Sequence, residues 1–559
     1  MQEAPFNAES PSLEALRTFS LDELNTLAKK IRANLIDLSP GKKAHLQSSL
    51  ATVELSICLH FVFNSPHDKI VWDVGHQAYA HKWLTGRAEQ LKTMRTIGGI
   101  SGFPRRNESA FDAFGTGHSS TSISAIGGMA QADKILKIKG RSYIAVIGDG
   151  AITGGQSFEA LNHMGALGLP LIILFNDNDR SLDLNVGALH TQKSYSNYFK
   201  SLGWKYCGPI DGHHIPSIIH ELKKAKALES PVVLHVKTEH PRDPNTVSIQ
   251  PRKSGTVSFS EVFGACMHSM AEENLEFAVC SPAMIEPAYL KSFNEKYPER
   301  CFDTGITEQH AVGFSAGMAS QGLRVFCHLY STFSQRAIDQ IIHDVALQNL
   351  PVCFVLDRAG ITGEDGPTHH GLFDASLFNS IPQIQIWDVA EGNSFEGLLR
   401  STLNQSGPIA IRIPKSNTLW QETQNPKPFY RANKTQSKLG ILCLGHTLEW
   451  LNLPDFSHFN LAVVQCLKPL PSEAISEYIE TVDAVWVLED GMRIGGLFQQ
   501  LTDLKEQKNW KTKLFSKAVD DCFVEHGSLK ALLEKHQLDG ESLLKRMQLF
   551  ELNSAELGQ

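Results

Sequence analysis

At 559 residues the chain is too long for one ordinary hydrophobic core, and at typical domain sizes it predicts about three or four domains. A composition of 42% hydrophobic and 20% charged residues, with 42 Gly and 25 Pro, excludes fibrous and disordered classes. The net charge of -8 and a pI near 6.3 exclude a general nucleic-acid binder, because neutralising phosphates needs a basic face and no Lys/Arg block supplies one. No run approaches the roughly 20 apolar residues that span a bilayer, and the N-terminus lacks a basic segment followed by an apolar one, which reads as a cytoplasmic protein. The ten cysteines are dispersed, without C-x-x-C spacing, and read as small buried hydrophobes in a reducing compartment.

Along the chain, short apolar runs rich in β-branched residues alternate with longer amphipathic segments, the pattern of an α/β protein with mostly parallel sheets. Helices are expected over 10–33 and 121–136, and strands over 143–147, 171–175 and 232–236. The stretch 239–255, EHPRDPNTVSIQPRKSG, holds three prolines among polar residues and reads as a linker. Strands over 276–280, 325–330, 352–356 and 409–413 follow, then a polar, Pro-containing separator at 421–437. A last block carries strands over 441–444, 461–464 and 484–488. Three consecutive α/β domains are the economical reading: 1–240, 256–420 and 438–559.

The run 142–155, SYIAVIGDGAITGG, is a buried strand ending in Gly148-Asp149-Gly150. The glycines permit a tight turn at the carboxyl end of a parallel sheet, where ligands bind in open α/β folds. The spacing G-x-G-x-x-x-G is wrong for a dinucleotide fingerprint, and Asp149 would repel a diphosphate unless a divalent cation lay between them. A second ligand is expected one βαβ unit later. Asn178 stands twenty-nine positions on, directly after the 171–175 strand, with Asn176 and Asp177 as neighbouring candidates. Asp149, Asn178 and the backbone carbonyl of Arg180 would offer Mg²⁺ hard oxygen ligands. A G-D-G turn followed by N-D-N is the thiamine diphosphate signature, specific because two separated elements must agree.

Further words extend this pattern: TVEL at 52–55, WDVGHQAY at 72–79, GHSSTSIS at 117–124, TEQHAV at 307–312, YSTFSQR at 330–336, DRAGI at 357–361, DGPTHHG at 365–371 and EHGS at 525–528. Along nearly its whole length the chain resembles the 1-deoxy-D-xylulose-5-phosphate synthase family of transketolase-like enzymes. The resemblance implies a diphosphate-binding, a pyrimidine-binding and a transketolase C-terminal domain, assembled as a homodimer. It implies decarboxylation of pyruvate and transfer of its two-carbon unit to glyceraldehyde 3-phosphate, with thiamine diphosphate and Mg²⁺ as cofactors. Glu308 matches the glutamate that hydrogen-bonds the cofactor's aminopyrimidine, and His45, His76 and His369 match histidines facing the reacting carbons. Gly117, His118, Ser119, Gly150 and Ala151 would approach the diphosphate, and Phe333 would stack on the aminopyrimidine. Tyr330 and Arg358 would meet the acceptor's phosphate, with Arg336 and Asp365 nearer its hydroxyls and the carboxylate.

Three stretches depart from that pattern. RIPKSN at 412–417 places Lys415 where relatives carry an arginine, which keeps the charge but loses the bidentate fork. The segment 190–207 is much shorter than its counterpart, and PRDP at 241–244 replaces a G-R-G-Y word, with no matching histidine before Gly255. These departures leave open carboligation of pyruvate with another aldehyde, and a catalytically silent thiamine diphosphate binder.

Overall fold

The computed structural model describes residues 10–38, 45–180, 185–239 and 255–556, with side chains to residue 552. The expected linker therefore lies almost wholly outside the described residues, as does the PRDP word. Two compact units divide the chain: Met1–Val247 with Gly305–Thr307, and Ser248–Thr304 with Glu308–Gln559.

The first unit is built on five parallel strands, β1 (Lys69–Trp72), β2 (Tyr143–Gly148), β3 (Leu171–Asp177), β4 (Lys205–Asp211) and β5 (Val232–Lys237), in the order β1-β2-β3-β5-β4. Because side chains alternate across a strand, successive residues feed two cores on opposite faces. Ile144, Val146, Ile172 and Leu174 enter one, while Ala145, Ile147, Ile173 and Phe175 enter the other. Each fully buried Val, Leu or Ile contributes about 1.5–3 kcal/mol, and this double burial is why β2 and β3 read as unbroken apolar runs. The helix expected over 10–33 is two helices, Leu13–Leu16 and Leu21–Ile36. Ser20 starts the second with a capping box, its side chain accepting from the Glu23 amide while Glu23 accepts from the Ser20 amide at 2.7 Å. The helix expected over 121–136 is Ser122–Ile135.

The second unit opens with β6 (Thr256–Ser258) and holds two larger sheets. One contains β7 (Phe277–Cys280), β8 (Cys301–Phe302), β9 (Arg324–Tyr330), β10 (Val352–Ala359), β11 (Gln385–Asp388) and β12 (Ile409–Pro414); β13 (Asn417–Leu419) instead pairs with β6. The other contains β14 (Phe429–Asn433), β15 (Leu439–Leu444), β16 (Asn460–Val464), β18 (Ala484–Met492) and β19 (Lys513–Val519), in the order β14-β16-β15-β18-β19. The short strand β17 (Cys466–Lys468) crosses back to the edge of the first sheet, which runs β17-β11-β12-β10-β9-β7-β8. Among the described residues, the edge strands β17 and β14 are the two that pair antiparallel within these sheets. The stretch expected as a separator, 421–437, thus contains the edge strand β14. One core runs through both sheets, Leu356, Phe378 and Ile386 packing with Leu442, Val464, Val485 and Leu501.

A knot of charges is buried in the same unit. Arg412, on β12, donates through Nε to Asp374 at 3.0 Å and through both terminal nitrogens to Asp490 on β18 at 3.0 and 3.1 Å, and it also pairs with Asp388 at the end of β11. His446, just beyond β15, bonds Asp388 at 2.9 Å and Asp490 at 3.2 Å. Asp388, His446 and Asp490 bring metal-ligand atoms within 4.8 Å of one another, but the Arg412 guanidinium already meets both carboxylates there, so charge is balanced from within the chain. Burial alone would push the His446 imidazole down; the Asp388 and Asp490 carboxylates outweigh it and raise it to about 10. With a folded value above the ordinary 6.5, the stabilisation is complete below pH 6.5 and is lost as pH rises towards 10. Urea unfolding should therefore show the wild-type chain losing about 3 kcal/mol more between pH 6.5 and 9.5 than His446→Gln loses. Equal losses would place the proton elsewhere.

Eight cysteines are buried and Cys207 is half-buried, as expected of small hydrophobes; Cys522 is the exception and is exposed. Among the described residues no helix is long and apolar enough to cross a membrane.

Candidate active site

The parallel strands of the first unit all end on one edge, and the register puts Trp72 beside Val146 and Gly148 beside Asn176. The residues that follow β1, β2 and β3 are therefore neighbours. Asp149 is buried, and its carboxylate accepts from the Gly150 amide at 2.9 Å and the Asn178 amide at 3.1 Å. Burial, with the nearby Asp177 carboxylate, raises Asp149 to about 7. A buried acid in that state is one whose ionised form wants a cation, and Asn178 is the member of the Asn176-Asp177-Asn178 run that meets it. The others are committed elsewhere. Asn176 bonds Gln77 at 3.2 Å and Thr238 at 2.7 Å, and Asp177 pairs with His235 at 2.9 Å. The Asn178 side-chain oxygen accepts from the Arg180 amide at 3.0 Å, a turn that keeps Asn178 and Arg180 together. The donor set of carboxylate, amide oxygen and carbonyl fits a hard divalent ion.

After β1 comes Asp73, whose two carboxylate oxygens accept from the Ser120 amide at 2.7 Å and the Ser122 amide at 3.0 Å. This caps the Ser122–Ile135 helix and fixes Gly117, His118 and Ser119 just before it. Gly117 has φ +155°. Ser120 also donates to the Ala151 carbonyl at 2.7 Å, tying that stretch to Gly150 and Ala151. A Cβ on Gly154 would lie 2.3 Å from the Ser120 hydroxyl, so this approach requires glycine. His76 and His45 lie edge to face, ring centres 6.0 Å apart, and Ser49 donates to the His76 carbonyl at 2.9 Å. The helix after His76, Tyr79–Lys82, is anchored by a buried chain in which His81 bonds His60 at 2.9 Å and Asp112 at 3.0 Å.

In the second unit Glu308 opens the Glu308–Ala319 helix and is buried. Its carboxyl is raised by burial, against its own backbone hydrogen bond and the Arg336 charge. Tyr330 ends β9, and Phe333 lies stacked on it at 5.7 Å, with His369 edge-on to Phe333 at 5.6 Å. The Arg358 guanidinium sits 4.1 Å from the centre of the Tyr330 ring. Asp365 precedes the single turn Gly366–Thr368, and its charge is felt at the Tyr330 hydroxyl. Lys415 is exposed, with Glu364 at 3.7 Å and the Thr362 carbonyl at 3.5 Å. Arg412, the first residue of the RIPKSN word, turns instead into the charge knot.

Glu308, His369, Phe333, Tyr330, Arg336, Arg358, Asp365 and Lys415 thus belong to one unit, and His45, His76, Gly117, His118, Ser119, Asp149, Gly150, Ala151, Asn178 and Arg180 to the other. Sequence reasoning passed over Asp73, Gln77 and His235. Asp73 and Gln77 stand inside the WDVGHQAY word, so that word carried their signal; His235 sits within an apolar strand and offered none.

A model described as transketolase, pyrimidine binding domain, matches residues 255–420. With parallel sheets carrying G-D-G and N-D-N at adjacent strand ends, fold and site define a thiamine diphosphate enzyme of the transketolase type. A solved transketolase from Campylobacter jejuni subsp. jejuni NCTC 11168 is similar over 95% of this chain and 100% of its own, at 17% identity and a TM-score of 0.45. A model described as 1-deoxy-D-xylulose-5-phosphate synthase matches residues 8–195 and 190–238. The 1-deoxy-D-xylulose-5-phosphate synthase of Carboxydothermus hydrogenoformans is 39% identical over 95% of this chain and 96% of its own, and that of Syntrophotalea carbinolica 36% over 97% of each. The chain belongs to the 1-deoxy-D-xylulose-5-phosphate synthase family.

Proposed function

We propose that the chain is a transferase that decarboxylates pyruvate and joins the remaining two-carbon unit to D-glyceraldehyde 3-phosphate, giving 1-deoxy-D-xylulose 5-phosphate and CO₂. The observation that carries this reading is the match, over nearly the whole chain, to synthases of that name. Residues 1–240 would bind the diphosphate, 256–420 the pyrimidine, and 438–559 would form the C-terminal domain of a cytoplasmic homodimer.

Asp149, Asn178 and the Arg180 carbonyl would hold Mg²⁺, with Gly117, His118, Ser119, Gly150 and Ala151 lining the diphosphate. When bound, thiamine diphosphate supplies a nucleophilic carbon and an electron sink for the decarboxylation. Glu308, kept neutral by burial to a higher pH than an ordinary carboxyl, would share its proton with the aminopyrimidine, and Phe333 would stack on that ring. His45, His76 and His369 would move protons at the keto acid and the aldehyde. Arg358 and Tyr330 would take the acceptor's phosphate, with Arg336 and Asp365 at its hydroxyls and the carboxylate. Lys415, already facing Glu364, would add a point charge and no fork.

Product and CO₂ release should require pyruvate, glyceraldehyde 3-phosphate, thiamine diphosphate and Mg²⁺ together. Turnover of unphosphorylated aldehydes alone would remove the acceptor from this reading. Asp149→Asn should weaken Mg²⁺-dependent thiamine diphosphate binding, followed by titration calorimetry, by at least the roughly 10–100-fold typical of losing an outer-shell partner. Unchanged affinity would take Asp149 out of the metal site.

A further inference from the structure

Arg358 is held in an unusual place. Against β12 the pairing of β10 shifts between Asp357 and Ala359, so Arg358 is the extra residue of a bulge, with φ +61°. A side-chain-bearing residue seldom adopts that backbone, and bulges of this kind re-aim side chains beside functional sites. It persists because both flanks are fixed. On the C-terminal side, Gly360 and Gly371 exchange backbone hydrogen bonds of 2.9 and 2.8 Å, and a Cβ on Gly371 would come within 2.5 Å of the Arg358 carbonyl.

On the N-terminal side lies a chain of polar groups that the reaction does not use. Asp357 is paired in register with Tyr330, so the two share a face of the sheet with His328. The Ser260 hydroxyl donates to the Asp357 carboxylate at 2.8 Å, and His328 meets the same oxygen through Nε2 at 3.3 Å. The other His328 nitrogen, Nδ1, lies 3.0 Å from the Ser281 hydroxyl. A proton on Nε2 satisfies both contacts, with Ser281 donating to Nδ1. Phe263 stacks on the imidazole at 5.3 Å and 17°, which fixes the ring. Ser281, His328 and Asp357 are all buried, closed to substrate, so the row cannot act as a nucleophile and its base. Burial would raise the Asp357 carboxyl, but the hydrogen bonds from His328 and Ser260, with the electrostatic pull of His328 and Arg358, together outweigh it and hold the group below its ordinary value.

We infer that the buried Ser281–His328–Asp357–Ser260 chain is a positioning device that sets the Arg358 guanidinium over Tyr330, and so fixes selectivity for a phosphorylated acceptor. The inference rests on the reading of Arg358 as the phosphate anchor. Asp357 and His328 are positioning residues, acting only through Arg358.

The test compares glyceraldehyde 3-phosphate with unphosphorylated D-glyceraldehyde as acceptor, using the full chain with thiamine diphosphate and Mg²⁺. Asp357→Asn and His328→Gln should each raise KM for the phosphorylated acceptor about 10-fold, the scale of a small misplacement of a binding group. KM for pyruvate and for D-glyceraldehyde, and kcat, should stay unchanged. Ser281→Ala, which removes only the far end of the row, should give a smaller shift in the same direction and serves if the other variants do not fold. Arg358→Ala is the reference. If it erases the preference for phosphate while the positioning variants leave that preference intact, or weaken both acceptors alike, the inference is overturned and the anchor stands. If Arg358→Ala leaves the preference intact, the anchor and the inference fall together.

Discussion

Glu308→Gln is expected to lower turnover about 10²–10⁴-fold, the range that a positioned proton-transfer group contributes, while thiamine diphosphate still binds. The carboxyl stands at the first position of the Glu308–Ala319 helix, where the exposed backbone amides would favour an anion. Burial wins over that preference and over the Arg336 charge, so the proton is held above the ordinary carboxyl range. A glutamine keeps the size and a hydrogen-bond donor but cannot exchange a proton. Hydrogen–deuterium exchange at C2 of the bound cofactor, followed by NMR, is the direct readout, and exchange at the wild-type rate would remove Glu308 from the proton path.

The second large effect is structural. Arg412→Met should destabilise the chain by about 3–5 kcal/mol, the cost of leaving buried charges without their partner. Asp374, Asp388 and Asp490 all bond this one guanidinium, and only His446 would remain to face Asp388 and Asp490. Arg400→Met is the control. Arg400 also pairs with two carboxylates, those of Glu273 and Glu396, but it is only half-buried and Glu273 is exposed, while the buried Glu396 keeps its hydrogen bond from Trp420 at 2.9 Å, so its loss should cost less. Urea midpoints of the two variants give the comparison, and similar losses would mean that the buried network relaxes on losing its arginine.

What could be read from the sequence follows burial and locality. Strands β2, β3, β9, β10 and β12 are covered on both faces, so each is an apolar run long enough to stand out. The strand β1 has four residues, and β4, KYCGPID, lies at a sheet edge with four of its seven positions exposed; neither carries a clear period. The turn after β2 and the Asn178 region were legible because parallel register alone brings consecutive strand ends together. The charge knot was not, since its members come from four strands or their ends and one helix, and nothing in the local sequence of Arg412 says that it points inward. The same limit applies to His328 and Asp357, twenty-nine positions apart and joined only by the pairing of β9 with β10. Candidate site residues could be singled out wherever a whole word surrounded them, as TEQHAV does Glu308.

The core that Leu356, Phe378 and Ile386 share with Leu442, Val485 and Leu501 bears on how such a chain can diverge. The C-terminal sheet lines one face of its neighbour with apolar side chains, and Asp490 completes the set of carboxylates around Arg412. Exchanging either sheet alone would strip hydrocarbon from the one left behind and break the Arg412–Asp490 and His446–Asp388 pairs that join them. A side chain enlarged on one side of this seam, at Leu356 or Phe378, is therefore expected to need a smaller one facing it, at Leu442 or Val485.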